Sequence, residues 1–551
     1  MITNGCLATQ EDGEIVGKLI LPNKKFRYVP LDEFEEWSRM CETHTPLSYV
    51  NRILHPPVSI AHPPPLRIKE CASEEFQRTM TATQRQTIQD MIQKHFGRVL
   101  VAHECGVGKT PIGCYFGAYY GGWTMYILIG AKIDDFVKEI PKWTGRTDVQ
   151  VLRTSKDVIK KKIIIVTYDM AKIHAGVLST PWDTIIMDEA HNIRGADTIR
   201  QDKIIPMLKR AKHVLLLTAT PQETGPANIF NPLSALFPEI FNDREAFVRR
   251  YANAHFDDNG EWNERGSSNE DELHIVLKQF MLRVTQAEAM PDLPPKTEYL
   301  VHFKVKDEKV LQGYQGQAEE YNEICENERK CAKFSSERLY WTRKKKQQAN
   351  KLIQLTGVIK AELIKPWIIQ TLENNPTEKM LIFFMFMEPM DIIEAFLKEK
   401  GIGYIRGDGN VSIKKRQELI EPIATNDQNG IRVALLSLRC FSDGINARPG
   451  ATIVLFHGYA STAEKMRQGA GRVHRFGTER PCSIQWTYCS ELRDKNTFKK
   501  LMKNARETSK VVNRVNTTGF NFLEISGDPE EAETSFKHAR IMDEEDNDEY
   551  D

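Results

Sequence analysis

Short runs of β-branched and other apolar residues recur along most of the chain, and stretches with helical spacing separate them. Arg98-Val-Leu-Val-Ala, Met125-Tyr-Ile-Leu-Ile, Lys162-Ile-Ile-Ile-Val, Thr184-Ile-Ile-Met and His213-Val-Leu-Leu-Leu form a first series. Continuous apolar runs of this length, set between helices, predict parallel strands buried on both faces. A second series follows in Met380-Leu-Ile-Phe-Phe, Gly403-Tyr-Ile, Val433-Ala-Leu-Leu and Thr452-Ile-Val-Leu-Phe. Between the two, roughly 305 to 365, lies a charged and mostly helical segment containing Arg343-Lys-Lys-Lys. The expectation is an α/β protein with two parallel sheets covered by helices and a helical insertion between them.

The boundaries follow from the same pattern. Residues 1–75 read as an N-terminal extension ending in a proline-rich linker (His55-Pro-Pro, then His62-Pro-Pro-Pro). Residues 76–290 make the first lobe, 291–365 the helical insertion and 366–515 the second lobe. Residues 516–551 form an acidic tail, expected to be disordered.

Composition narrows the class. At 551 residues the chain exceeds one ordinary core, and 41% hydrophobic with 27% charged residues suits a globular protein. No apolar run approaches the roughly 20 residues of a membrane span, and no secretory signal is apparent. The ten cysteines include no C-x-x-C pair, which favours reduced thiols in a cytosolic or nuclear protein over zinc sites or disulfides. Net charge is zero, yet residues 528–551 hold eleven acidic side chains against Lys537 and Arg540. The body before them is therefore basic, as a phosphate-backbone binder would be, although many solvated surfaces carry such an excess.

The candidate chemistry begins at strand Arg98–Ala102, which runs into Glu104-Cys105-Gly106-Val107-Gly108-Lys109-Thr110 and then a helical stretch. Strand, glycine loop and helix in this order are what a phosphate-binding loop requires. Gly106 and Gly108 let backbone N–H groups close on phosphate oxygens. Lys109 can reach the β- and γ-phosphates, and the Thr110 hydroxyl can ligate Mg²⁺. His103 stands where the strict pattern has its first glycine, so a plain glycine turn is the competing reading. Asp188-Glu189-Ala190-His191 ends strand Thr184–Met187. There Asp188 would bind the Mg²⁺ of ATP through water, and Glu189 would orient or deprotonate the attacking water. Thr218-Ala219-Thr220-Pro221 ends a third strand, and its hydroxyls could couple the nucleotide site to a nucleic-acid face. Gln84, one helix upstream, is a candidate for the adenine edge.

In the second lobe, Gln468-Gly-Ala-Gly-Arg472-Val473-His474-Arg475 supplies two guanidiniums three residues apart, expected on one helix face. Arginines brought to the transferring phosphoryl group stabilise its developing charge. A solvated basic helix is the alternative. Asp443 and Gly444, in a polar loop after strand Val433–Leu436, are further candidate nucleotide contacts.

In the order Gln84, Gly106-Val-Gly-Lys-Thr110, Asp188-Glu-Ala-His191, Thr218-Ala-Thr-Pro221, Asp443-Gly444, Gln468…Arg472…Arg475, the chain resembles the Swi/Snf-type helicase-like ATPases of superfamily two. That family commonly lacks the first loop glycine. Arg250-Tyr251, Gly266-Ser-Ser-Asn269, Leu273, Met281-Leu-Arg283 and Leu293-Pro-Pro-Lys296 are similar to the annealing-helicase (HARP-type, SMARCA-like) branch. Thr478 and Phe476 depart from its pattern, which has glutamine and isoleucine there. The resemblance implies two RecA-like lobes, ATP and Mg²⁺ as cofactors, and a nuclear translocase on duplex DNA that rewinds or remodels branched structures in replication-fork processing and repair. Other readings are a nucleosome remodeller, an RNA helicase and a non-catalytic binding scaffold. Arg343-Lys-Lys-Lys346 beside Tyr340 and Trp341 is a candidate DNA contact, and the acidic tail a candidate protein-partner site.

Overall fold

The structure is a computed structural model that describes residues 4–9, 15–20, 26–30, 63–194, 199–222, 225–256, 262–332, 335–427, 430–442, 444–513, 519–528, 531 and 540–541. It divides into two compact units. The first comprises Met1–His255, Asn263–Pro291 and Glu507–Asn516, and the second Phe256–Trp262, Asp292–Arg506 and Thr517–Asp551. No helix among the described residues is long and apolar enough to cross a membrane.

Strands β1 (Asn4–Thr9), β2 (Ile15–Ile20) and β3 (Phe26–Val29) form a small antiparallel sheet inside the stretch read as an extension. The end of the proline-rich linker is docked rather than loose: Tyr119 Oη donates to the Pro65 carbonyl at 2.7 Å, and Gln93 Nε2 to that of Pro64 at 3.3 Å.

The main sheet of the first unit contains β4 (Arg98–Val101), β5 (Thr124–Leu128), β6 (Val149–Val151), β7 (Ile163–Thr167), β8 (Thr184–Asp188), β9 (His213–Leu217) and β10 (Met281–Leu282). All seven are parallel, in the order β10-β4-β9-β8-β5-β7-β6. Val99, Val101, Tyr126, Ile165, Ile186, Leu215 and Leu217 pack with Ile88, Ile112, Tyr115, Phe116 and Phe136 from the covering helices, nearly all out of reach of water. Fully burying each such side chain contributes roughly 1.5–3 kcal/mol, which explains why helices must cover both faces of these apolar runs.

The second unit holds β11 (Lys296–His302), β12 (Lys379–Phe384), β13 (Gly403–Gly407), β14 (Ile431–Ser437), β15 (Ala451–Phe456), β16 (Cys482–Tyr488), β17 (Phe522–Ser526) and β18 (Arg540–Ile541). Their order is β13-β14-β12-β15-β16-β11-β17-β18, with only β18 antiparallel to its neighbour. The two-sheet α/β architecture is the one the hydrophobic pattern predicts. Several segments differ from expectation: Glu507–Asn516, read as the end of the second lobe, lies with the first unit, and Arg540–Ile541 of the tail is a strand. Lys296–His302, assigned to the helical insertion, is a strand between β16 and β17, with Leu300 and Val301 buried. Phe522–Ser526, assigned to a disordered tail, is also a strand of this sheet, because Phe522 and Ile525 are apolar anchors sunk in its core. The helical segment itself is an antiparallel pair, α1 (Glu308–Lys330) and α2 (Ser336–Leu363). Lys345 bridges the pair by a 2.7 Å contact with Glu328, and the Gln348 amide donates to Glu320.

Candidate nucleotide site

Three neighbouring strands of the first unit, β4, β9 and β8, end in the three motifs read from its sequence. After β4, Gly106 and Gly108 adopt φ of 84° and 85°, the left-handed region that an L side chain enters only at a cost. Gly108 caps the helix Lys109–Tyr120. A Cβ on Gly108 would stand 2.5 Å from Gln84 Nε2, so a larger residue there would push the Gln84 amide off the Gly108 carbonyl. The loop thus leads directly into the N-terminal, positive end of a helix, an arrangement suited to phosphate. Lys109 Nζ donates to the carbonyls of His103 and Glu104 at 2.7 and 2.9 Å, which folds the lysine over the loop. Thr110 is half-buried at the second helical position.

Gln84 is 7% exposed and touches this loop directly. Its Oε1 accepts from the Thr81 N–H in a capping box, while Nε2 donates to the Gly108 carbonyl at 3.3 Å. The amide expected at an adenine edge is therefore tied to the loop's own backbone here.

His103, the departure from the strict loop pattern, is fully buried. Thr87 Oγ1 lies 2.8 Å from its Nε2. Burial, with Lys109 and Arg283 adding to it, lowers its pKa to about 3. An unfolded chain takes up a proton near pH 6.5 that the folded site refuses, so stability from this residue is complete above pH 6.5 and is lost as pH falls toward 3. Its slope reaches at most about 1.4 kcal/mol per pH unit. Urea midpoints of the first unit should thus fall more steeply from pH 7 to pH 5 in the wild type than in His103→Gln. Parallel decline in both would rule this contribution out.

Asp188, the last residue of β8, is 2% exposed. Glu189 follows in the left-handed region at φ 55°, ψ 50°, which redirects its carboxylate from the strand axis. Tyr168 Oη donates to the main-chain carbonyls of both residues at 2.7 and 3.0 Å and so fixes the turn. Lys132 Nζ contacts Asp188 Oδ2 at 2.7 Å and Glu189 Oε1 at 3.4 Å. His191 completes the array: its Nδ1 lies 3.3 Å from Thr218 Oγ1, 3.2 Å from Thr220 Oγ1 and 3.4 Å from Glu189 Oε2. One imidazole thereby links the acidic motif to the Thr-Ala-Thr motif. Arg283 bridges from the neighbouring edge, donating to Glu104 Oε1 at 2.9 Å and to the Ala219 carbonyl at 3.1 Å.

In the second unit, Arg472 and Arg475 do not share a helix face. Helix Ala463–Ala470 ends at the Gly-Ala-Gly sequence, and both arginines lie beyond it in consecutive turns. Arg472 Nε donates to the Gln468 carbonyl and Nη1 to that of Ile445, each at 2.9 Å, so its guanidinium fastens the loop after Gly444 to the helix end. Arg475 is half-buried, and its N–H donates to Thr478 Oγ1 at 3.0 Å. Gly444 takes φ 76°. Asp443 lies outside the described residues.

Sequence reasoning missed Lys132, the bridging function of His191 and the place of Arg283. Arg283 had a family signal without a role. Lys132 had one usable sign: a cation just past the strand Met125–Ile129.

The sequence of this chain matches the SNF2-related domain over residues 83–354 and the helicase conserved C-terminal domain over residues 360–477. It is 27% identical over 438 residues to the DNA annealing helicase and endonuclease ZRANB3 of Homo sapiens, covering 76% of this chain and 39% of the relative. It is 26% identical over 441 residues to the SWI/SNF-related matrix-associated actin-dependent regulator of chromatin subfamily A-like protein 1 of Xenopus tropicalis, covering 78% of this chain and 44% of that protein. The chain thus spans about two fifths of the length of these curated relatives. The Sulfolobus solfataricus SWI2/SNF2 ATPase core in complex with dsDNA aligns at 20% identity and a TM-score of 0.36, covering 75% of this chain and 88% of that one.

Proposed function

This chain belongs to the SNF2-related family of helicase-like ATPases, and from that premise we propose that it is an ATP-driven translocase on duplex DNA that rewinds or remodels branched structures. The observation that carries the reading is the convergence of phosphate loop, acidic pair and threonine motif at the ends of three neighbouring strands, the last two joined through His191. The relatives named above as a DNA annealing helicase and as a chromatin regulator support DNA as the track and the nucleus as the place of work.

The residues fit ATP with Mg²⁺: two left-handed glycines open the loop to phosphate oxygens, and the donor set of one hydroxyl and one carboxylate suits a hard cation that keeps most of its water. Thr110 and Asp188 would hold the ion, which when bound supplies charge neutralisation at the β- and γ-phosphates. Lys109 then leaves the His103 and Glu104 carbonyls for the phosphates. Glu189 accepts a proton from the attacking water, and His191 passes the change in its position to Thr218 and Thr220. We assign Arg475 the stabilisation of charge on the transferring group. Arg472, already engaged with Gln468 and Ile445, shapes the loop that carries Gly444.

Contacts to the duplex should fall mostly on phosphates, with little sequence preference and steep salt dependence. On α2, Tyr340, Arg343, Lys344 and Lys346 are exposed, and the Tyr340 and Trp341 rings meet edge to face at 5.2 Å. These four are candidate DNA contacts, whereas Lys345 is turned to Glu328 instead. The acidic residues after 528 are a candidate site for a protein partner.

The test is ATP turnover by the full chain with duplex DNA, forked DNA, duplex RNA and single strands compared side by side. Stimulation is expected with the DNA duplexes, and Lys109→Ala should lower it by about 10²–10³ with the fold intact by circular dichroism. Unchanged turnover in that variant would remove the site assignment, and stimulation by RNA alone would remove the DNA reading.

A further inference from the structure

Two adjacent carboxylates at the end of a buried strand need a cation. Asp188 is 2% exposed and Glu189 9%. Like charges this close, away from water, are costly unless a positive group is paired with them. The loop lysine does not serve: Lys109 Nζ is bonded to the carbonyls of His103 and Glu104. The cation present comes from another strand. Lys132 ends the 3-10 turn Gly130–Lys132 that follows β5, and β5 lies beside β8 in the sheet. Its ammonium rests 2.7 Å from Asp188 Oδ2 and 3.4 Å from Glu189 Oε1.

We propose that Lys132 is the resident counter-cation of the acidic pair, and that the divalent ion of the nucleotide must displace it to engage Asp188. This rests on the reading of the site given above and adds a competitor to it. Asp188 Oδ2, the oxygen Lys132 occupies, is an acceptor that the ion's water shell would require. Lys132 is 25% exposed at the side chain and sits on a flexible four-carbon stem, so its ammonium has a route to solvent. While it is seated it also engages Glu189, so the group expected to activate water is held by the same ammonium until the metal arrives. The apparent affinity for the ion is then the intrinsic one multiplied by the fraction of time the lysine is away.

The prediction concerns metal affinity rather than turnover. Mn²⁺ titrated into the full chain saturated with ADP, with the free ion read by electron paramagnetic resonance, should bind about tenfold more tightly to Lys132→Met than to the wild type. That factor equals about 1.4 kcal/mol. Lys132→Arg, which keeps the charge, should return close to the wild-type value. If Lys132→Met disturbs the thermal transition, Lys132→Gln serves in its place. Affinity that is unchanged or weaker in the uncharged variant overturns the counter-cation assignment. Asp188→Asn separates this from the parent reading. Mn²⁺ binding that survives Asp188→Asn defeats the site itself. Binding lost there but unmoved by Lys132→Met defeats the counter-cation alone.

Discussion

Arg475→Ala is expected to lower duplex-stimulated ATP hydrolysis by about 10³–10⁵ while ATP affinity stays within a few-fold. That range is what an arginine aimed at a transferring phosphoryl group is worth in well-studied nucleotide hydrolases. The size follows from where charge develops: the equatorial oxygens gain it in the transition state, so the guanidinium contributes to rate far more than to ground-state binding. The local structure suits such a role. Thr478 Oγ1 donates to the Val473 carbonyl at 2.9 Å and accepts the Arg475 N–H, closing a short turn that fixes the arginine's backbone. Thr478 is one of the two departures from the family pattern, and the turn gives it a purpose. Arg475→Lys should recover little, since a point charge does not reproduce a planar fork. Equilibrium binding of a fluorescent ATP analogue, set beside steady-state turnover, decides the matter. Equal loss of binding and turnover would instead mean that Arg475 contacts ATP in its ground state.

The second large effect is on stability. Arg250 and Glu272 form a two-pronged ion pair, Nε to Oε1 at 2.7 Å and Nη2 to Oε2 at 2.6 Å, and Tyr251 Oη adds a 2.6 Å bond to the same carboxylate. Glu272 is fully buried and Arg250 6% exposed. Removing one partner strands the other charge in a dry interior, which costs about 3–5 kcal/mol. For a unit of this size each kcal/mol moves the midpoint by roughly 2–4 °C. Glu272→Ala should therefore lower the first unit's thermal transition by roughly 6–20 °C. Removing both charges together, as in Arg250→Met with Glu272→Leu, should restore most of the loss. A double variant as unstable as the single one would show that packing, not the stranded charge, sets the penalty.

Much of this was legible in the residues because the strongest signals are local. Central strands such as Ile163–Thr167 and Ala451–Phe456 are buried on both faces and announce themselves as unbroken apolar runs. Lys296–His302 opens on three consecutive polar residues and Cys482–Tyr488 carries polar residues at alternate positions, so both read as something else. Their polar side chains are satisfied by distant partners: Gln485 Oε1 accepts from Trp367 Nε1 at 2.8 Å, and the Thr487 hydroxyl donates to the carbonyls of Phe456 and His457. No window of sequence contains both halves of such a bond. The same limit governs the site. The loop and the acidic pair are contiguous motifs that one window of sequence contains, whereas Lys132 meets Asp188 only because β5 and β8 are neighbours. Arg472 shows the converse: spacing placed it on a helix face with Arg475, but the glycines flanking Ala470 ended the helix first.

The strand Phe522–Ser526 changes how the chain's acidic end can be studied. It runs parallel to Lys296–His302 along its length, and Phe522 stacks among Trp486, Phe498 and Phe520. Shortening the C-terminus anywhere before Ser526 strips a rung from that ladder and bares the backbone donors and acceptors of its neighbour. Any loss of solubility or turnover that followed would report a frayed edge, not missing negative charge. The contribution of the anionic residues is separable only by neutralising them in place, because Arg540 and Ile541 form the edge strand that pairs with Glu524 and Leu523.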